Sequence, residues 1–545
     1  MILNFGRSLF DAGIDFVPNA RRYSRMQENG TKIITFDVRL SNTAAKSDEW
    51  VPVKPGTDLA VVLAMCHVII AEKLYDKNEF ETASNFTIEE LKTHIKEYSP
   101  EWAERKSSVP LEKIKSLAIE FAKAKPSLCI SFRGAFMHHN GIQARRAIYM
   151  LDALVGNLGS IVRKTEAPKW VPPFNQPNKV NKRLDLFKGV DNEFSIDDHI
   201  ISNQIAHCID IGQDKPEIYL TYTHNPVYSN GNSSINEAIY KDTSKIPFLI
   251  CSDVAFSETS RLADLILPDT TFLERWTLED QKTVSGTPEY YIRQPLSKPL
   301  GESINFVDVA CDLAKSMDID LGFSSAKEFV EATCNNTPGI KEAGGFEFMA
   351  KNGIWHDKKI KPSYVNREKL DFKSKRLEKA GFSAIPDWME IPSHVNIKKG
   401  ELMLTTYKVS VQAHSRTQNC KWLSEIYHDN PAWINTKTAK SKGIENNDWV
   451  KLESSIGELV TRVRVTQAVH PDVIAISHHL GHQAWGVYAT GKKSPVFQEE
   501  SDVNNIWWDS FGTHVNNIIP ITPEPISGSM AWFDTVVKIK KIQHG

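Results

Sequence analysis

The sequence has seven cysteines, at positions 66, 129, 208, 251, 311, 334 and 420, and no two of them stand in a CxxC pair. Their scatter excludes an iron–sulfur or structural zinc motif within this stretch of chain, and it offers no disulfide framework. Long hydrophobic runs are also missing. The most apolar segment, Leu59 to Ala71, is interrupted only by His67 and is too short to span a bilayer. Charge of one sign is lacking too: 65 Lys and Arg face 67 Asp and Glu, for a net charge of −2, so no broad basic field points to nucleic acid. No signal peptide opens the chain. Met1-Ile2-Leu3-Asn4-Phe5 instead begins at once as an apolar strand, and since a domain seldom opens inside its own sheet, this suggests a missing N-terminal part.

What is present is the composition of a globular protein, 41% hydrophobic and 24% charged over 545 residues, enough for three or four domains. Ile33 to Phe36 is short, apolar and rich in β-branched residues, so it reads as a buried strand. Asp37 and Arg39 follow where that strand ends. Pro55-Gly56-Thr57-Asp58 then opens the helix predicted from Leu59 onward, with Thr57 or Asp58 able to cap it by accepting from free backbone N–H groups. Ligands of open parallel sheets bind at the carboxyl ends of strands, and helix starts attract anions. The stretch therefore reads in one of two ways. It is a nucleotide cradle with a carboxylate, an arginine and a helix start, or an ordinary strand-loop-helix with a surface ion pair.

The same β-then-α rhythm runs through the first 175 residues. Strand 2–5 leads into the Gly6-Arg7-Ser8 turn. Ile114, Leu117, Ala118, Phe121 and Ala122 share one helical face, Leu128 to Phe132 is a strand ended by Arg133-Gly134, and Ile142 to Leu154 is a helix that Gly156 can terminate. Repetition of this kind predicts a doubly wound parallel sheet. Lys164 to Asp191, rich in Pro, Asn and Lys, reads as a linker or surface loop. A second α/β unit follows. Its strands are predicted at Ile218–Tyr222, ending in His224-Asn225-Pro226, and at Pro247–Cys251, ending in Ser252-Asp253. Asp253 and Asp264 alone read as caps or solvated carboxylates. Residues 325–395 read as peripheral structure without chemistry. From about residue 400 the pattern is all-β, with strands at Leu402–Tyr407, Trp449–Glu453, Glu458–Thr466, Val473–Ser477 and Thr535–Ile539 and a hairpin turn at Ser454–Gly457, which together suggest a barrel. The predicted division is 1–175, 176–395 and 396–545: two α/β units followed by a β-barrel.

The string DVRLSNTAAKSDEWVPVKPGTDLA closely resembles a signature of the molybdopterin oxidoreductases, the dimethyl-sulfoxide-reductase superfamily. YTHNPVYSNGN, SETSRLADLILPDTTFLER, TPEYYIRQPLSKPLGE and the closing PISGSMAW resemble further blocks of the same superfamily in the same order. The resemblance implies two molybdopterin guanine dinucleotides around one molybdenum, with the barrel capping the second. It places Gly6, Asp37, Arg39, Gly56, Thr57 and Asp58 along one dinucleotide. Asn225, Asp253 and Thr259 would approach a dinucleotide, with Asp264 and Pro268 shaping the crevice wall, while Glu274 and Arg275 are structural partners. In the barrel, His414, Arg416 and Thr417 suit a pyrophosphate, because a guanidinium pairs with it bidentately. Asn516 and Asn517 match an asparagine step near a guanine. His478-His479-Leu480-Gly481-His482 tempts as a metal site, but no carboxylate or cysteine completes it, and a pterin-facing role for His479 or His482 is the expectation. Ser8 stands where the resemblance leads one to expect Asn.

FDVRLSNTAAKSDEW, HHLGHQAWG and the GTHVNN ending are similar to the branch of thiosulfate, polysulfide and tetrathionate reductases and sulfite dehydrogenases. That implies oxygen-atom or sulfur transfer in bacterial or archaeal respiration. It also implies an iron–sulfur electron-transfer subunit and a membrane anchor as partners, and a cluster and metal ligand in the missing N-terminal part. No catalytic residue and no protein ligand to a metal is assigned. The alternative is a pseudo-enzyme or carrier that holds the dinucleotide without turnover.

Overall fold

The computed structural model describes residues 1–12, 16–158, 161–164, 169–174, 202–213, 215–282, 287–357, 359–360, 363–492 and 506–543. Four strands, β1 (Ile2–Phe5), β2 (Ile33–Asp37), β3 (Glu49–Pro52) and β4 (Leu128–Ser131), form a parallel sheet in the order β3-β2-β1-β4. The two central strands are apolar nearly throughout because both faces of a doubly wound sheet are covered. The Asp58–Ala71 helix is apolar on every side and is buried along almost its whole length, as a helix without a polar face must be. Its exception, His67, is satisfied by the Ile95 carbonyl at 2.9 Å. The predicted cap differs in detail: Thr57 holds the N-cap place, but its hydroxyl donates to the Lys54 carbonyl rather than accepting from the helix. Gly156, at φ +71°, ends the Gly141–Leu154 helix in a left-handed turn closed by Gly156 N–H to Ala153 and Asn157 N–H to Asp152.

β5 (Ile161–Lys164) leaves this unit. Most of the predicted 164–191 linker lies outside the described residues, yet Trp170 packs edge-on against Tyr290 at 4.8 Å. The second unit holds β6 (Tyr219–Tyr222), β7 (Leu249–Asp253) and β8 (Leu265–Pro268) in a parallel sheet of that order. β7 starts two residues later than predicted. β8 is a full strand formed by the Leu265-Ile266-Leu267-Pro268 run. β9 (Thr277–Lys282), β10 (Pro288–Arg293) and β11 (Ile354–His356) make an antiparallel sheet packed on the Ala326–Asn336 and Gly345–Asn352 helices, and β12 (Ser363–Asn366) pairs with β5. The stretch after β12 departs from its reading as periphery. Phe372 enters the core of the first unit and stacks on Phe80, Trp388 packs edge-on against Trp102, and His94 meets the Pro386 carbonyl at 2.9 Å. Sequence pattern missed this return because the contacts join residues nearly 300 positions apart.

Six strands then close a barrel in the order β13-β17-β14-β16-β15-β18. They are β13 (Leu402–Tyr407), β14 (Ala432–Asn435), β15 (Trp449–Glu453), β16 (Glu458–Thr466), β17 (Val473–Ser477) and β18 (Val536–Lys541). The predicted β15–β16 hairpin is present, with Ser454 N–H donating to the Gly457 carbonyl. β14 was not foreseen: four residues between a proline and a polar helix carry too little alternation to stand out. Leu404, Ile434, Val450, Leu452, Val463, Ile474 and Ile476 fill the interior. Among the described residues, no helix is long and apolar enough to cross a membrane.

Where β1 and β4 end side by side, Gly6 (φ +62°) and Gly134 bring their backbones into direct contact. A Cβ on Gly134 would lie 2.3 Å from the Gly6 carbonyl oxygen. Gly134→Ala is expected to force the two strand ends apart and destabilise the protein by roughly 1–3 kcal/mol, read as a fall in the urea midpoint.

Candidate functional site

The carboxyl ends of the first sheet face the barrel. β2 ends in Asp37, whose carboxylate accepts from Ser41 Oγ at 2.8 Å and from the Arg39 amide at 3.3 Å. Burial pushes this carboxyl up, with the Arg39 guanidinium opposing. Arg39 itself turns to the barrel and lies 4.0 Å over the Tyr407 ring, while Leu40 N–H donates to Ala468 and His470 N–H to Val38. The arginine is thus a clamp between unit and barrel, packed through its planar face. Gly56 (φ +72°) passes its carbonyl to Asn140 Nδ2 at 2.9 Å, and a Cβ there would strike Ile391 and His138. Asp58 is buried, which drives its carboxyl up to about 7, with nearby His138 opposing and Asp37 reinforcing the rise. His138 lies between Asp534 Oδ1, 2.5 Å from Nδ1, and the Gly134 carbonyl, 3.2 Å from Nε2. Asp534 also accepts from the His139 amide at 2.6 Å, so the segment entering β18 closes over the first unit.

A cationic rim adjoins this edge. Arg7 and Arg133, after β1 and β4, flank the Phe132 ring at 5.7 and 5.8 Å. Lys408 follows β13, His478 and His479 follow β17, and His414 and Arg416 lie on a short turn in which His414 takes φ +54°. His478 stacks on His479 at 4.2 Å and sits 5.6 Å from His414. Burial and then His414, Lys408 and Arg133 push His478 down to about 3. Burial first, then the charges of Lys408, Arg133 and Arg416, lower His414 as well. The Lys408 ammonium is lowered by burial and by Arg416, with Asp11 opposing. His479 is fully buried, and neither ring nitrogen has a hydrogen-bond partner. A buried polar ring left unsatisfied beside crowded cations is what an anionic, hydrogen-bonding ligand would complete.

The remaining predicted residues divide. Asn225 and Thr259 are spent on each other: Asn225 Oδ1 accepts from the Thr259 amide at 3.1 Å and hydroxyl at 2.8 Å, and its Nδ2 donates to Glu258 at 2.7 Å. His482 is held by Glu258 and by the Ser415 carbonyl, so neither nitrogen is free for a pterin. Asn516 donates to the Tyr228 carbonyl at 2.9 Å, and Asn517 beside it is half-buried. Thr417 closes its own turn, accepting from the Ala413 amide and donating to Gln412. Asp253 does lie at the carboxyl end of β7, where burial raises its carboxyl. Asp264 does not. It sits at the amino end of β8 and accepts from the Leu249 amide at 2.8 Å, as a strap across the opposite edge of the sheet. Glu274 accepts from the Thr271 and Leu300 amides and Arg275 pairs with Asp269, so both are structural. Sequence reasoning did not single out Lys408, Glu258, His138 or Asp534 and read Arg133 only as a strand end; a lone charged residue beside a strand end was the only signal available.

Asp58 supplies a test. Its folded-state value lies above the unfolded value, so the folded protein holds the extra proton and this contribution to stability is present below about pH 4 and is lost as pH rises toward 7. Asp58→Asn is expected to remove that decline, gaining on the order of a few kcal/mol relative to wild type between pH 4 and 7, measured by urea unfolding at several pH values.

Known proteins bear on the same geometry. The thiosulfate reductase molybdopterin-containing subunit of Salmonella typhimurium is 25% identical over 97% of this chain and 72% of its own length. The menaquinone reductase molybdopterin-binding-like subunit of Nitratidesulfovibrio vulgaris is 25% identical over 92% of this chain and 64% of its own. Among solved structures, acetylene hydratase from Pelobacter acetylenicus superposes with a TM-score of 0.73 at 19% identity, covering 99% of this chain and 78% of the other. That likeness shows the fold. Residues 402–533 match the molydopterin dinucleotide binding domain, which makes a molybdopterin cofactor the ligand that the barrel serves. With residues 3–316 matching the molybdopterin oxidoreductase model, over half its length, this chain belongs to the molybdopterin oxidoreductase family.

Proposed function

We propose that this chain belongs to the catalytic subunit of a molybdenum bis(molybdopterin guanine dinucleotide) oxidoreductase that acts on sulfur oxyanions or polysulfide in respiration. The observation that carries the reading is the rim where Arg133, Lys408 and Arg416 converge on His414, beside His479, whose ring nitrogens lack partners. The rim fits a pyrophosphate, since clustered cations and a guanidinium favour it. Gly6 and Gly134, packed backbone to backbone and partly exposed at the strand ends, suit a close approach, and Asp37 and Asp58 suit a guanosine end. When bound, the cofactor supplies two-electron redox chemistry and oxygen-atom or sulfur transfer. The chain's own residues bind and orient it: cations neutralise its phosphates, buried carboxyls take its base, and the barrel excludes water. The sulfur branch is supported by the named thiosulfate reductase relative. An iron–sulfur electron-transfer subunit and a membrane anchor are the partners this reading requires. A second reading, a subunit that holds the dinucleotide without turnover, is favoured by the relative named as molybdopterin-binding-like.

The complete catalytic subunit to which this chain belongs, once purified, is expected to release two equivalents of guanine nucleotide on acid treatment, with molybdenum by elemental analysis, and to oxidise reduced viologen when given thiosulfate or polysulfide. Nucleotide without turnover supports the second reading. Protein free of both nucleotide and metal overturns both.

A further inference from the structure

His482 makes two short contacts. Its Nδ1 lies 3.0 Å from Glu258 Oε1, and its Nε2 lies 2.7 Å from the Ser415 carbonyl oxygen. A carbonyl oxygen can only accept. Glu258 is equally committed: it takes Asn225 Nδ2 at 2.7 Å, the Gln483 amide at 2.7 Å and the Ala484 amide at 3.0 Å, leaving its carboxylate an acceptor on every side. Burial works against the charge on Glu258, yet the His482 ring and these donors outweigh it and hold the carboxyl well below the usual carboxylate range. Both ring nitrogens of His482 must therefore donate, which needs two N–H groups and a positive charge.

The ring is also enclosed. Tyr228 stacks on one side at 3.9 Å and Trp485 at 5.4 Å, both nearly parallel to it, and His514 continues the column beyond Tyr228 at 4.1 Å. Trp485 holds φ +88° and His414 φ +54°, conformations that bulky residues adopt only when their surroundings over-determine them. These two strained residues lie on the two rim loops that His482 joins. Trp485 completes the tie by donating its indole N–H to the Arg416 carbonyl at 3.3 Å and its amide to Phe256 at 2.8 Å.

We propose that Glu258 and a doubly protonated His482 form a positioning pair, which locks the 414–417 loop against the 478–485 loop and so fixes the spacing of Arg416 from His478 and His479 across the anion-binding rim. One loop thereby carries histidines in two states: His478 and His479 stay neutral among cations, while His482, three residues on, is cationic opposite the buried carboxylate. The charge state of His482 stands whatever the rim binds; its effect on the rim rests on the dinucleotide reading.

The test uses full-length protein with 15N-labelled histidine at pH 7, alongside calorimetric titration with inorganic pyrophosphate. A histidine signal with two protonated nitrogens is expected to vanish in His482→Gln and to become a one-N–H signal in Glu258→Gln. Pyrophosphate affinity is expected to fall about tenfold in both, the order of one lost charge-assisted hydrogen bond. Should His482→Gln fail to fold, Trp485→Leu assigns the same signal by shifting it, since it removes a stacked ring and leaves both hydrogen bonds. A single N–H on His482 overturns the charge assignment. Folded variants that bind pyrophosphate as tightly as wild type overturn the positioning role. If wild-type protein fails to bind pyrophosphate, the dinucleotide reading of the rim falls and the positioning role with it, while the 15N spectrum still decides the charge.

Discussion

Two buried histidine–carboxylate pairs hold the three folded units in register. His138 with Asp534 joins the first α/β unit to the segment entering β18, and His482 with Glu258 joins the second α/β unit to the barrel. In each pair the second ring nitrogen is turned to a backbone carbonyl, so the histidine bridges two acceptors. Buried ion pairs add little net stability over an apolar filling, but losing one partner strands the other and costs about 3–5 kcal/mol. Their value here is geometric: an apolar contact between units can slide, whereas a ring held at both nitrogens fixes direction and distance.

That fixity is what allows the rim to exist. Arg133, Lys408, Arg416 and three histidines would repel one another if all were charged, and the loops carrying them belong to two different units. Burial resolves the conflict by keeping His414 and His478 neutral, so the permanent cations are spaced by aromatic rings rather than by counter-ions. Arg39, stacked on Tyr407, adds a cation whose flat faces are already occupied. Where the first unit meets the barrel, Arg133, Lys408 and Arg416 gather on one part of the boundary and the buried carboxyls Asp37 and Asp58 on another, the polarity that the proposed dinucleotide, with phosphates at one end and a hydrogen-bonding base at the other, requires.

Much of this was legible in the sequence, and the parts that were not share a reason. Strand and helix positions followed from local pattern: the continuous apolar run at Leu59–Ala71, the one-sided face of Leu111–Lys123, the hairpin turn at Ser454–Gly457. Asp37, Gly56 and Asp58 could be placed because they follow strand ends or open a helix. What escaped depended on contacts distant in sequence. Phe372 and Trp388 return to partners nearly 300 residues earlier, and Asp534 meets His138 across 396 positions. Asp264 misled for a related reason: a carboxylate beside a strand reads the same at either end, and only the direction of β8 shows that it straps the far edge. The side chains of Asn225, Thr259 and His482 are consumed by one another and by Glu258, contacts that no local pattern displays.

The His138–Asp534 pair also has a consequence for the order of events during synthesis. The core of the first α/β unit takes in Phe372 and packs against Trp388, so this unit is complete only when most of the chain has been made. Its carboxyl edge meets Asp534 later still, 396 positions beyond His138, and the neighbouring rim needs loops from the barrel. On the proposed dinucleotide reading, loading therefore waits until translation has passed β17 and the approach to β18.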